Sequence, residues 1–276
     1  MILPPIEAPK LKLIEKGKLP NMRYMVMPDK GKIGIDMDLD RADLQVVVWE
    51  ADDDELRAAL RDGVDMHLLN AATIFNLPIP YDECKEGHPN QKEHKARYKA
   101  FRNKAKIGVH ATNYGVGDRK LALSLGITVQ EASQFRKRWF EAHPGIKRWH
   151  QRTIFQLAKD RTITNRFGYR IVYFDRPEVL LTRALAWLPQ STVAIVIDKA
   201  MDNIATHLAK EVDILLQVHD SLFMQCDGDK IHDIIPKIRE QSLITIPYDQ
   251  PLVIPVGFEV SNKTWGDVDK YERPDQ

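Results

Sequence analysis

The stretch Gln217-Val218-His219-Asp220-Ser221-Leu222 decides how this chain is read. Ile214, Leu215 and Leu216 lead into it and Leu222, Phe223 and Met224 lead out, so its flanks have the pattern of buried β-strand. Between them stand two ionisable side chains, His219 and Asp220. A carboxylate among apolar residues is costly unless it is paired, hydrogen-bonded or bound to a metal. Asp220 is therefore either a turn acid at the tip of a hairpin or a carboxylate that another part of the chain requires.

A counterpart lies near the other end of the sequence. Ile33-Gly34-Ile35-Asp36-Met37-Asp38-Leu39 alternates apolar and acidic residues, as a strand with one buried face does. Acids at such a strand end are commonly solvated or capping, and Asp36 and Asp40 are expected to be so. Asp38 is the acid to set beside Asp220, because adjacent strands of one sheet would bring the two carboxylates together. Two carboxylates converging on hard, oxygen-liganded cations form the centre of two-metal phosphoryl transfer. Mg²⁺ is typically held by one or two carboxylates plus substrate phosphates, so a site this sparse suits a nucleotide-bound ion.

The bulk properties limit the alternatives. In 276 residues, 43% are hydrophobic and 29% charged, an ordinary soluble composition long enough for a sizeable core. The formal net charge is +1, so any nucleic-acid surface must be local. Cys84 and Cys226 are the only cysteines, too few for a disulfide framework or a thiolate zinc site, which points to a reducing, intracellular setting. The N-terminus has no signal-peptide pattern and no stretch reaches the length of an uninterrupted apolar membrane span, so a soluble protein is expected.

Along the chain, residues 1–32 are rich in proline and lysine and read as an extended arm, with a possible short strand at Tyr24–Met27. Leu44–Trp49 continues apolar, and Asp52-Asp53-Asp54 marks a helix start for Glu55–Arg61. Asp65–Phe75 reads as a helix ended by Leu77-Pro78-Ile79-Pro80, and residues 81–95 as a loop or hinge. Helices are expected over 98–113, 117–125 and 129–141, the last opening with Thr128 and Glu131 at capping-box spacing. Ile146–Asp160 resumes the helical pattern, and Thr162–Phe174 is β-rich around a Phe167-Gly168 turn. A long helix over Leu188–Leu208, the hairpin at Ile214–Gln225, a helix at Ile231–Leu243 and a strand at Leu252–Val260 complete the chain. The order gives no βαβ rhythm. It predicts an α+β fold: a small antiparallel sheet of distant segments with a helical subdomain inserted.

Arg102, Lys106, His110 and Tyr114 are spaced by four and line one helix face. A solvated basic helix accounts for Lys95, Lys99 and Lys104, but less well for the imidazole and phenol that close the column. Cations for a triphosphate followed by a ring for a base would use such a face in that order. His67, just past Asp62-Gly63-Val64-Asp65, would not be singled out by position alone.

Taken together, these stretches resemble family A DNA polymerases of the bacterial DNA polymerase I type. Asp38-Leu39-Asp40-Arg41-Ala42-Asp43-Leu44-Gln45 stands where that family has Asp-Tyr-Ser-Gln-Ile-Glu-Leu-Arg. The Arg102–Gly115 helix is similar to its Arg-x3-Lys-x3-Phe/Tyr-x3-Tyr-Gly, and residues 217–222 to its Gln-Val-His-Asp-Glu-Leu. Supporting similarities are Gly63–His67, Phe140–Ile146 (the family's Phe-x-x-Tyr-Pro-Gly-Val), Gln190, and Val256-Gly257-Phe258 to Trp265.

The resemblance implies template-directed DNA synthesis from dNTPs on primer-template DNA, with two Mg²⁺ ions held by Asp38, Asp220 and the backbone carbonyl of Leu39. It makes Asp38, Asp220 and Lys106 the catalytic residues. Arg102, Lys106 and His67 would grip the phosphates, His110 and Tyr114 would pack on sugar and base, and Asp43 would exclude a 2′-hydroxyl. Gln190 and His219 would touch the primer-terminal pair. It also implies a palm at 1–61 and 186–276 with fingers at 62–185, in the cytoplasm of a prokaryotic or phage-infected cell. The family's thumb and exonuclease-like domain do not fit before this region, so a second polypeptide is expected to supply them. Asp43 replaces the family's glutamate, His110 its Phe or Tyr, Leu39 its tyrosine, Gln45 its arginine and Ser221 its glutamate. The alternative is a non-catalytic nucleic-acid-binding or structural subunit derived from a polymerase; a metal-dependent nuclease would leave the Arg102–Tyr114 helix unexplained.

Overall fold

The computed structural model describes residues 21–272, so the first twenty residues of the expected arm lie outside the described residues. After a 3₁₀ turn at Met22–Met25, β1 (Lys32–Leu39) leads into α1 (Ala42–Ala51), α2 (Asp54–Arg61) and α3 (Met66–Phe75). The helical run continues through α4 (Gln91–Arg97), α5 (Lys99–Asn113), α6 (Asp118–Leu125), α7 (Val129–Ala142) and α8 (Pro144–Asp160). A small hairpin, β2 (Thr162–Thr164) and β3 (Arg170–Val172), precedes the long α9 (Pro177–His207). Then come β4 (Val212–Val218), β5 (Ser221–Asp227), α10 (Ile231–Ser242), the short β6 (Thr245–Ile246) and β7 (Leu252–Val253), β8 (Val256–Ser261) and β9 (Asp269–Lys270).

The main sheet runs β4-β5-β1-β8-β9, every neighbouring pair antiparallel, with β1 in the middle. This is the expected α+β architecture. The two-residue alternation of a strand sends Ile35, Met37 and Leu39 into the core, where they are at most 1% exposed. It leaves Asp36 and Asp38 on the opposite face. In β5, Leu222, Met224 and Cys226 join the same core, while Ser221, Phe223 and Gln225 share the acid-bearing face.

Two cores hold the chain together. One packs the sheet against α9 and α10, and the other lies among α1, α3 and α5 to α8. Helix α1 serves both, giving Ala42 and Val46 to the first and Val47, Val48 and Ala51 to the second. A helix buried on two sides needs no single apolar stripe, which is why Leu44–Trp49 shows none.

Four local expectations change. Residues 22–25 form a 3₁₀ turn rather than a strand, because the Asn21 side chain accepts from the Arg23 N–H and Tyr24 lies against Gly266. The segment 81–95 is not all loop: it holds a 3₁₀ turn at Tyr81–Cys84 and the start of α4. Helix α9 begins at Pro177, a residue suited to a first helical turn, and continues through Pro189 because buried Ala184, Leu185, Val193 and Val196 anchor it on either side. The 185/186 boundary therefore falls inside one continuous helix. The closing strand is split into β7 and β8 around Pro255, which has no N–H to donate. Leu180–His207 within α9 is long and apolar enough to cross a membrane by length and composition, but half of its most apolar window is buried.

Candidate active site

The turn between β4 and β5 consists of His219 and Asp220 alone, with His219 in the left-handed region at φ 56°. Asp220 is thus a turn acid at a hairpin tip. The register Asp38↔Ser221 sets the tip beside the end of β1, and the Leu39 N–H donates to the Asp220 carbonyl at 3.1 Å. Residues from opposite ends of the chain thereby bring two carboxylates to one end of the sheet, at the tips of its inner strands.

The electrostatics register that meeting. Although Asp38 reaches solvent, the protein around its carboxyl removes enough water to push it up to about 6, and the Asp220 charge adds to the rise. A carboxyl raised in part by its neighbour's charge marks a donor set short of positive charge, and the hard oxygens of the pair fit Mg²⁺. Among the described residues no group of three or more His, Cys, Asp or Glu could hold a metal ion. Two carboxylates alone would leave most of an ion's coordination to ligands from outside the protein. Ser221, on the same face beside Asp38, turns its hydroxyl to the Val218 carbonyl at 3.0 Å.

Asp36 departs from expectation. It is 7% exposed and accepts from Trp265 Nε1 at 2.7 Å, with Arg23 nearby. Burial raises its pKa, so it is a buried structural acid rather than a solvated one. Asp40 is partly open and pairs with Arg41, as a solvated acid would.

The cation column stands as the spacing implied, on α5 with Tyr114 at its C-cap. Gly108 makes the placement possible: a Cβ there would sit 2.4 Å from the Phe135 ring, so only glycine lets α5 approach α7. Lys106 and His110 are exposed, Arg102 is partly buried, and Tyr114 is 7% exposed. Tyr114 Oη donates to Asp43 Oδ2 at 2.7 Å, and its ring meets that of His110 edge-on at 4.5 Å. Burial, and then the Asp43 charge, push the phenol well above its usual range. The buried ring is therefore a hydrogen-bonded wall rather than an open platform.

Asp43, His67, Lys106, His110 and Tyr114 line one cleft of about 430 Å³ between α1, α3 and α5. Burial, then the neighbouring Arg102 charge, hold the half-buried His67 imidazole down at about 4, so it is neutral at pH 7 and offers an N–H without a charge. Its place in the cleft is a tertiary fact with no local signal. Gln190 and His219 are exposed outside that lining, on α9 and the hairpin tip. Leu39 is 1% exposed, so only its backbone could serve an ion. Sequence reasoning did not single out Asp65, which is 6% exposed and grips Arg102. Asp65 had shown itself only as part of a short motif before a helix.

Comparison with known proteins gives a consistent result. A family model described as DNA polymerase family A matches residues 6–267. The chain is 29% identical over 220 residues to DNA polymerase I of Bacillus caldotenax, covering 75% of this chain and 23% of that protein. It is 30% identical over 220 residues to DNA polymerase I of Rhizobium leguminosarum, covering 74% and 20%. Against the thermostable DNA polymerase I of Thermus filiformis the identity is 25% over 244 residues, covering 86% and 28%. The chain thus spans about a quarter of the length of such relatives. Among solved structures, the POL domain of Pol1 from M. smegmatis, in complex with DNA primer-template and dNTP, shares the fold with a TM-score of 0.70. That alignment has 23% identity and covers 87% of this chain and 41% of the other.

Proposed function

The chain belongs to DNA polymerase family A, and from that premise we propose that it carries the nucleotide-insertion centre of a template-directed DNA polymerase. The observation that carries the reading is the convergence of Asp38 and Asp220 at one end of the sheet, joined to the nucleotide-side helix through Asp43 and Tyr114. Asp38, Asp220 and the Leu39 carbonyl would hold the ions. Two bound Mg²⁺ ions would neutralise the triphosphate and activate the primer 3′-hydroxyl for in-line attack on the α-phosphate.

The remaining residues bind and orient. Arg102 and Lys106 face the phosphates as cations, with Lys106 beside the departing pyrophosphate charge, and neutral His67 donates a hydrogen bond there. His110 packs on the sugar, and Tyr114 closes the base side of the cleft. Asp43, fixed by Tyr114, stands where a 2′-hydroxyl would have to enter. Gln190 and His219 contact the primer-terminal pair. On this reading the sheet and its two chain segments are the palm and the inserted helices are the fingers. The setting of this reading is the cytoplasm of a prokaryotic or phage-infected cell.

Primer extension with Mg²⁺ and dNTPs, run with and without a candidate partner polypeptide, tests the proposal. Template-directed extension that disappears in Asp220→Ala is expected. Extension that survives this substitution contradicts the assignment. No extension under any partner condition favours a non-catalytic, nucleic-acid-binding role.

A further inference from the structure

Asp65 stands at the start of α3 and serves two purposes at once. Its Oδ1 accepts from the backbone N–H groups of His67 and Leu68, both at 3.0 Å, and so caps the helix that carries His67. Its Oδ2 accepts from Arg102 Nη2 at 2.9 Å and lies 3.0 Å from Lys95 Nζ. Arg102 Nε approaches the same carboxyl at 3.2 Å. The Asp65 side chain is 6% exposed, whereas those of Arg102 and Lys95 are 28% and 36% exposed. One buried anion thus ties together α3, α5 and α4, the last of which contributed nothing to the motifs.

Electrostatics explains why the anion has to be there. Two cations brought together in partly desolvated space repel, and without Asp65 both side chains would turn outward to water. The carboxyl holds the Nε and Nη2 edge of the guanidinium from behind. Among the described residues Nη1 takes no part in that grip, which leaves an edge of the fork for a phosphate oxygen. Displacing Asp65 would uncap α3 and strand a buried charge, so it acts as a fixed backing rather than a competitor that a phosphate could replace.

We infer that Asp65 is a positioning residue for phosphate recognition and that Lys95, held beside Arg102 through it, is a further cation of that grip. The inference rests on the nucleotide-binding reading of the cleft. It assigns the triphosphate, rather than the sugar or base, as the part of the ligand that feels Asp65 and Lys95.

Calorimetric titration of the chain with dATP and Mg²⁺, and in parallel with inorganic tripolyphosphate, tests it. Asp65→Asn keeps an acceptor suited to the helix cap but loses the charge; it is expected to weaken both ligands about tenfold. Lys95→Met is expected to weaken both about threefold, and to add nothing on top of Asp65→Asn. Unchanged or tighter binding by Asp65→Asn, with wild-type binding intact and Arg102→Ala weakened, overturns the inference and leaves the cleft reading standing. If Asp65→Asn fails to fold, Lys95→Met decides alone, and unchanged affinity overturns the inference. Wild-type protein that binds neither ligand overturns the nucleotide-binding reading, and this inference with it.

Discussion

Tyr114 Oη donates to Asp43 Oδ2 at 2.7 Å, joining the C-terminus of α5 to the first turn of α1. Asp43 follows Asp38 by five residues, so this bond ties the cation-bearing helix to the end of the strand that carries the acid pair. Tyr114 is 7% exposed, and removing its partner leaves a buried phenol without an acceptor. Asp43→Ala is therefore expected to cost about 1–3 kcal/mol, and Tyr114→Phe about 1 kcal/mol. Urea denaturation of both variants checks this, and equal stability for wild type and Asp43→Ala would show the bond to be inconsequential.

The acid pair makes a pH prediction for the metal-free protein. Asp38 is raised to about 6, first by loss of water and then by Asp220. A carboxyl whose folded pKa lies above its unfolded value stabilises the fold while protonated, and loses that contribution as pH rises through about 6. Asp220→Asn is expected to lower the Asp38 pKa without returning it fully to the ordinary range, because desolvation remains. Carboxyl-carbon NMR titration reads this directly; an unmoved Asp38 would mean the two acids do not share a site.

Asp65 makes the opposite prediction. Burial would raise its carboxyl, but hydrogen bonds from Arg102, Lys95 and the Leu68 N–H, with the Arg102 charge, outweigh that and hold it at about 2. The folded pKa lies below the unfolded value, so the stabilisation is complete above about pH 4 and is lost as pH falls toward 2. The shift corresponds to about 2 kcal/mol at neutral pH. Asp65→Asn is expected to flatten this acid limb, measured as unfolding free energy at pH 7, 4 and 2.5. An unaltered pH profile would show that Asp65 gains nothing from its partners.

Gly108 bears on the position of the cation column. A methyl at this position would meet the Phe135 ring, whose nearest atom is 2.4 Å from the ideal Cβ. Gly108→Ala is expected to destabilise the protein by about 1–3 kcal/mol despite alanine's better helix propensity. Paired Gly108→Ala and Phe135→Leu variants check the cause, since the second substitution should recover part of the loss.

The parts that could be read from sequence were those whose chemistry contradicted their surroundings. Asp38 stood out as a carboxylate on an apolar strand and Asp220 as one between two apolar segments, and Arg102 to Tyr114 kept a helical period that also ordered the chemistry. Other features depended on tertiary context. Asp36 follows the same alternation as Asp38 but is covered by Trp265, which lies far along the chain. Helix α4 lies in polar sequence and depends on Gln91, whose side chain donates to the Cys84 carbonyl at 3.0 Å. Two prolines hid the first third of α9, because local propensity cannot see the core that holds a helix through Pro189. His67 and Asp65 acquired meaning only when α3 was packed beside α5.

The central claim is that Asp38 and Asp220 together hold a divalent ion that arrives with the nucleotide. Electron paramagnetic resonance of Mn²⁺, titrated into the chain with dATP, tests it without primer, template or partner. Wild-type protein is expected to bind Mn²⁺–dATP, and Asp38→Asn and Asp220→Asn are each expected to weaken that binding at least about tenfold. Binding unchanged by both substitutions would contradict the account.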